Sequence, residues 1–152
     1  MSQSGNRVNL RSSVGYTLKQ ATSSLRSAMD AVLRPLGMTV SQYSCLEHLA
    51  QRPGLSNSEL ARGTFVSRQS MNVLLQALER DGLITRPEAA PVGRALPAQL
   101  TALGRKKLTA ASRAVKSVED RMLRDLDATE QESLMSLLTS CIAALSEPMS
   151  AS

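Results

Sequence analysis

The chain has 152 residues, 42% hydrophobic and 20% charged, enough for one domain with a buried core and helical extensions. No apolar run approaches the ~18 residues that span a bilayer, and Met1 to Arg11 is polar without a leader region, so a cytoplasmic protein with no membrane contact is expected. The net charge of +5 is uneven: residues 55–108 carry eight bases against four acids, whereas residues 109–152 carry four against seven. A basic middle beside an acidic tail suits a polyanionic partner, although scattered surface charge has the same sum.

The first helix is predicted over Ser12 to Arg34. Val14, Leu18, Ala21, Leu25, Ala28 and Val32 recur at spacings of four and three and share one face. Arg34-Pro35-Leu36-Gly37 ends it. Thr39 and Gln42 then form a capping box for a second helix, Val40 to Gln51, with Cys45, Leu46 and Leu49 inward. A second box, Ser56 with Glu59, opens a short helix over Asn57 to Gly63 that buries Leu60 and Ala61.

A turn through Thr64, Phe65 and Val66 leads to Ser67, an N-cap for a helix over Arg68 to Asp81. Met71, Leu74, Leu75 and Leu78 are its inward stripe, and Gly82 follows as the C′ residue. Leu83 to Arg86 reads as a strand, Pro87 to Gly93 as a loop and Ala95 to Leu100 as a return strand, with Pro97 marking an edge or bulge. Thr101 caps a long helix to Leu126, with Leu108, Ala111, Val115, Val118 and Met122 as its stripe. A third box, Thr129 with Glu132, opens the last helix, which runs to Ser146 with Leu134, Leu137, Leu138, Cys141, Ile142 and Leu145 on one face. The fold class expected is mainly α with a small β-hairpin wing: a winged helix-turn-helix domain at 37–101, between an N-terminal dimerisation helix at 1–36 and C-terminal dimerisation helices at 102–152.

A short helix, a tight turn, a second helix and a hairpin make a helix-turn-helix with a wing. The second helix opens on Ser67, Arg68, Gln69, Ser70 and Asn72. Arg68 can offer two donors to guanine, and Gln69 or Asn72 can bridge adenine. Ser67 and Ser70 can reach phosphates. Ser56 and Arg86 are further candidates for DNA contact. With only Tyr16, Tyr43 and Phe65 as aromatics, stacking platforms for single strands are scarce, and double-stranded DNA is the favoured nucleic acid.

From these residues the chain resembles the MarR family of regulators. The stretches that carry the resemblance are Leu36 to Tyr43, Pro53-Gly54-Leu55-Ser56-Asn57-Ser58-Glu59-Leu60-Ala61, Leu78 to Ile84, and Leu100-Thr101-Ala102-Leu103-Gly104-Arg105; it extends over residues 12–146. It implies a homodimer built on the first and last two helices, a palindromic operator, and repression relieved by a small-molecule effector or an oxidant. Two-fold symmetry would set the recognition helices about 34 Å apart, one turn of duplex. Tyr16, Met38, Tyr43 and His48 are the ligand-binding candidates on that analogy. The family's Asp-x-Arg at the wing turn aligns with Val92-Gly93-Arg94, so Arg94 is kept as a minor-groove contact and the orienting Asp is lost.

No catalytic constellation, phosphate loop, metal-ligand set or cofactor motif is present, so an enzyme is not expected. Cys45 and Cys141 read as packing residues, without metal spacing or a disulfide framework, and His48 as a lone surface histidine. A winged-helix module that binds proteins instead of DNA is the competing reading. It is disfavoured because Arg68 to Asn72 lacks the apolar or aromatic anchors of a partner-binding patch.

Overall fold

The computed structural model describes residues 3–86 and 98–149. After a 3₁₀ turn at Gln3–Asn6, helix α1 spans Val14–Leu33. Its N-cap is Ser13, whose Oγ accepts the Tyr16 amide at 3.1 Å. A second 3₁₀ turn, Arg34–Leu36, holds Pro35 in its first turn, where the missing N–H costs no hydrogen bond.

Helix α2, Val40–Gln51, opens on a reciprocal capping box: the Gln42 amide donates to Thr39 Oγ1 at 3.1 Å, and the Thr39 amide donates to Gln42 Oε1 at 3.0 Å. Helix α3, Asn57–Thr64, does the same with Ser56 and Glu59. Helix α4 spans Arg68–Arg80, capped by Ser67, whose Oγ accepts the Ser70 amide at 3.0 Å. Gly82 follows with φ +74, a left-handed turn that a side chain would strain.

Strands β1 (Ile84–Thr85) and β2 (Gln99–Leu100) pair antiparallel, Ile84 opposite Leu100 and Thr85 opposite Gln99. Helix α5 spans Ala102–Met122 and α6 spans Ala128–Ser146. The chain divides into two compact units, Met1–Val118 and Glu119–Ser152.

In the first unit, α1 to α4 and β1 meet in one core. Leu33, Leu46, Leu60, Leu75, Leu78 and Ile84 are essentially fully buried there. Full burial of a leucine is worth about 2 kcal/mol. Ser112 of α5 donates to Glu47 of α2 at 2.9 Å. Thr101 ties the sheet to α5 through three bonds. Its amide donates to Leu83 O at 3.0 Å, its hydroxyl donates to Gly82 O at 2.6 Å, and that hydroxyl accepts the Gly104 amide at 3.0 Å.

Several expectations are corrected. The box for the last helix is Asp127 with Glu130, not Thr129 with Glu132. Asp127 Oδ1 accepts the Glu130 amide at 2.8 Å, and Gln131 Nε2 donates to Leu126 O at 3.0 Å, which closes the preceding turn two residues early. That turn also ends α5 at Met122 instead of Leu126. The strands are shorter than Leu83–Arg86 and Ala95–Leu100, and Ala95 and Pro97 lie outside the described residues.

No residue of the apolar stripe predicted on α1 is buried: Leu25, Ala28 and Val32 are partly buried, Val14, Leu18 and Ala21 are exposed, and Leu33, the helix's buried residue, lay outside the stripe. On α5, Met122 is exposed. No residue of α6 is buried: Leu137, Ile142 and Leu145 are exposed, and so is Cys141, which the pattern assigned to packing. Periodicity identifies an apolar face but not the surface that covers it.

Candidate nucleic-acid interface

Helix α4 has two faces. Met71, Leu75 and Leu78 anchor its back in the core with no measurable exposure. Its front begins with Ser67, Arg68, Gln69, Ser70 and Asn72, all exposed. The structure brings these five candidates together on one helix end. Arg68 has no ion-pair or hydrogen-bond partner among the described residues. The first turn of α4 has no acidic residue, although a helix N-terminus favours one. The Arg68 and Gln69 amides have no protein acceptor among the described residues. Together these leave a positive, donor-rich end suited to a phosphate or an acceptor edge.

The hydroxyls are not equivalent. Ser67 accepts the Ser70 amide and donates its own proton to Ser70 Oγ at 3.0 Å, so it is occupied as a cap. Ser70 keeps a hydroxyl proton to offer outward. Ser56 is likewise the N-cap of α3, holding the Glu59 amide. In return the Glu59 carboxylate accepts the Ser56 amide at 3.2 Å, and hydrogen bonding from the Ser56 backbone and side chain, with lesser help from Arg52 and Arg62, holds that carboxyl below its ordinary range.

Asn72 is tethered rather than free: Asn57 Nδ2 donates to Asn72 Oδ1 at 3.1 Å, joining α3 to the reading face of α4. Arg86, half-buried behind the sheet, pairs with Glu79 at 3.5 Å while its amide donates to the same carboxylate. It serves to hold the sheet to the end of α4. Arg94, with the rest of the wing loop, lies outside the described residues.

Sequence reasoning missed Asn57, Val73 and Gln76. Val73 and Gln76 are exposed and continue the stripe from Gln69 and Asn72 at spacings of three and four. An apolar Val73 on this polar face suits a thymine methyl. Its place one turn after Gln69 was the available signal.

The four ligand candidates are not equivalent. Tyr16 is exposed on α1, Met38 is buried, and Tyr43 packs half-buried against the core. His48 is half-buried rather than on the surface. Its Nδ1 donates to Ser44 O at 2.7 Å, and its ring lies over Gly63, where a Cβ would sit 2.8 Å from Nε2. A cleft of about 540 Å³ has Leu49, Pro53, Leu100, Arg105, Leu108 and Thr109 in its wall and none of these four. A hollow of about 280 Å³ does include His48, with Glu47, Gln51 and Arg52.

Cys45 is buried, with its Sγ 3.9 Å from Met71 Sδ, and burial pushes its thiol up to about 12. Packing, as expected, is its role. Among the described residues no group of three or more His, Cys, Asp or Glu could hold a metal ion, and no helix is long and apolar enough to cross a membrane.

Residues 36–95 match the model of the MarR family. The HTH-type transcriptional repressor Rv2887 of Mycobacterium tuberculosis is 41% identical over 125 residues, 82% of this chain and 90% of that one. Its crystal structure in complex with DNA superposes with a TM-score of 0.71 at 38% identity, covering 86% of this chain and 98% of that one. Its complex with salicylic acid gives 0.71 at 39%, covering 86% and 96%. With that identity running along most of both sequences, and α3, α4 and β1 within the residues that match the family model, the chain belongs to the MarR family of transcriptional regulators.

Proposed function

We propose that a homodimer of this chain represses transcription by seating α4 of each copy in the major groove of a palindromic duplex. The observation that carries this reading is the outward stripe Arg68, Gln69, Asn72 and Val73 on a helix whose back is locked by Met71, Leu75 and Leu78. A buried back is common to amphipathic helices; the unpaired Arg68 beside amides without acceptors, among the described residues, is what favours a reading head at this helix end. The relative Rv2887, crystallised with DNA, supports the reading.

Pairing is supported by α6, whose Leu137, Ile142 and Leu145 are uncovered in the single chain. Burying such a face in a second copy gains roughly 25 cal/mol per Å². Arg94 is retained as a wing contact in the minor groove. Release by a small aromatic acid is the effector reading, on the analogy of Rv2887 with salicylic acid, with Tyr16, Met38, Tyr43 and His48 as the residues to probe. In this reading the protein is a cytoplasmic binder and no enzyme.

Selection of bound fragments from the source genome, followed by gel-shift titration at increasing salt, tests the proposal. A recurring inverted repeat bound by a dimer, with affinity falling steeply as salt rises, is expected. No retained fragment at low ionic strength, or a monomer bound to a single half-site, would overturn it.

A further inference from the structure

Phe65 is the chain's only phenylalanine, and it is 93% exposed. It is also the only non-glycine residue with a positive φ among the described residues, at φ 61 and ψ 39, where it caps the end of α3. Glycine is the residue that usually takes this position, because it has no Cβ to strain. Next to it, the Thr64 hydroxyl is buried without a hydrogen-bond partner among the described residues. The turn between α3 and α4 thus carries strain, an unsatisfied hydroxyl and an aromatic ring in water. The left-handed backbone closes α3, with the Phe65 amide donating to Ala61 O and Arg62 O, but an exposed phenyl ring adds nothing to that closure that glycine would not supply with less strain. A strained position kept with a side chain that the turn itself does not need is a mark of function.

The location indicates the partner. Phe65 stands two residues before the Ser67 cap of α4, with the exposed Arg62 and Arg68 three residues to either side of it in sequence. Two cations flanking one apolar ring match the surface of a nucleic-acid strand, where charged phosphates alternate with apolar sugar faces. We infer that Phe65 packs its ring against the deoxyribose backbone of the bound duplex and sets the depth at which α4 enters the groove. The inference rests on the proposed DNA binding and adds to it a contact that is apolar and independent of base sequence.

Three proteins decide it: the parent, Phe65→Gly and Phe65→Tyr. Each is titrated against the duplex fragments recovered by genomic selection, at several salt concentrations, and each is melted. Phe65→Gly should bind at least tenfold more weakly at every salt concentration, with an unchanged slope of log affinity against log salt, because no cation is lost. Its melting temperature should equal or exceed the parent's, because glycine relieves the backbone. Phe65→Tyr, which keeps the ring, should bind within threefold of the parent.

Binding of Phe65→Gly within twofold of the parent would overturn the inference and leave DNA binding intact; that result would assign the ring to a protein partner or to none. A slope reduced by about one ion would mean that the turn had moved and taken a cation off the phosphates, and would overturn it as well. So would a lowered melting temperature, or a Tyr variant as weak as the Gly variant. If the parent itself retains no fragment, the functional proposal fails first and this inference fails with it.

Discussion

The carbonyl of Leu83 lies against the Cα of Gly104, so close that a methyl group at position 104 would overlap the oxygen. Leu83 is the residue just before β1, and Gly104 sits in the first turn of α5. The same Leu83 oxygen accepts the Thr101 amide, so α5 starts directly on the root of the sheet. Gly104→Ala must push α5 and the sheet apart. A loss of about 2–3 kcal/mol is expected, as for other overpacked sites, read as a melting temperature lower by several degrees. A variant that melts with the parent would show that the contact relaxes at no cost.

Arg68 offers a fork of donors from the start of α4 and is unpaired among the described residues. Arg68→Ala should weaken operator binding by about 1–3 kcal/mol and relax discrimination at the base it reads. Arg94→Ala should instead weaken binding to many sequences alike and reduce the salt slope by about one ion. Gel-shift titrations with the selected operator and single-base variants separate the two. Parent-like affinity for Arg68→Ala would remove it from the reading head.

Glu59 supplies an acid-sensitive clasp on α3. Its carboxyl is held below the ordinary 4.5 by its bonds to Ser56. A carboxylate with a depressed folded pKa stabilises the fold above the unfolded value, and that contribution fades as pH falls through the lower folded value. Urea melts of the parent and Glu59→Gln from neutral pH to well below 4.5 should therefore start apart and converge in acid. A gap that stays constant with pH would show that the charge plays no part in the cap.

Cys45 should be silent toward thiol reagents while the chain is folded. Burial raises its thiol from 9.0 to about 12, so almost no thiolate forms at neutral pH. In a Cys141→Ser background, which removes the exposed thiol, labelling should appear only on addition of denaturant. The linkage sign follows: the unfolded thiol ionises from about 9.0 while the folded one stays protonated. This group's contribution is therefore intact below 9.0 and is lost as pH rises from there toward 12. Rapid labelling of the native Cys141→Ser protein would contradict the burial.

The reading helix was legible because short-range chemistry defines it. Ser67, the stripe Met71, Leu75 and Leu78, and Gly82 specify its start, inner face and end, and the observed Arg68–Arg80 differs from expectation by one residue. The same local logic failed at α6, where both Asp127–Glu130 and Thr129–Glu132 have capping-box spacing. The turn closed by the Gln131–Leu126 bond goes with the first of them, and capping-box spacing does not report that side-chain bond. The left-handed backbone at Phe65 was invisible because residue type predicts a glycine or asparagine there. The Glu79–Arg86 pair and the Asn57–Asn72 bond join residues 7 and 15 positions apart, and no periodic pattern reports such pairings.

That Asn57–Asn72 bond bears on how selective the protein can be. A side chain fastened before its target arrives has little rotational freedom left to lose, so docking dissipates less entropy. It also cannot swing to suit a poorly matched base. With one lone pair of the Asn72 oxygen already engaged, the amide protons are what it presents most readily, and they favour purine N7 or a keto oxygen over an exocyclic amine. Stringency at that step of the operator would then come from stiffness built into the protein's two-helix unit.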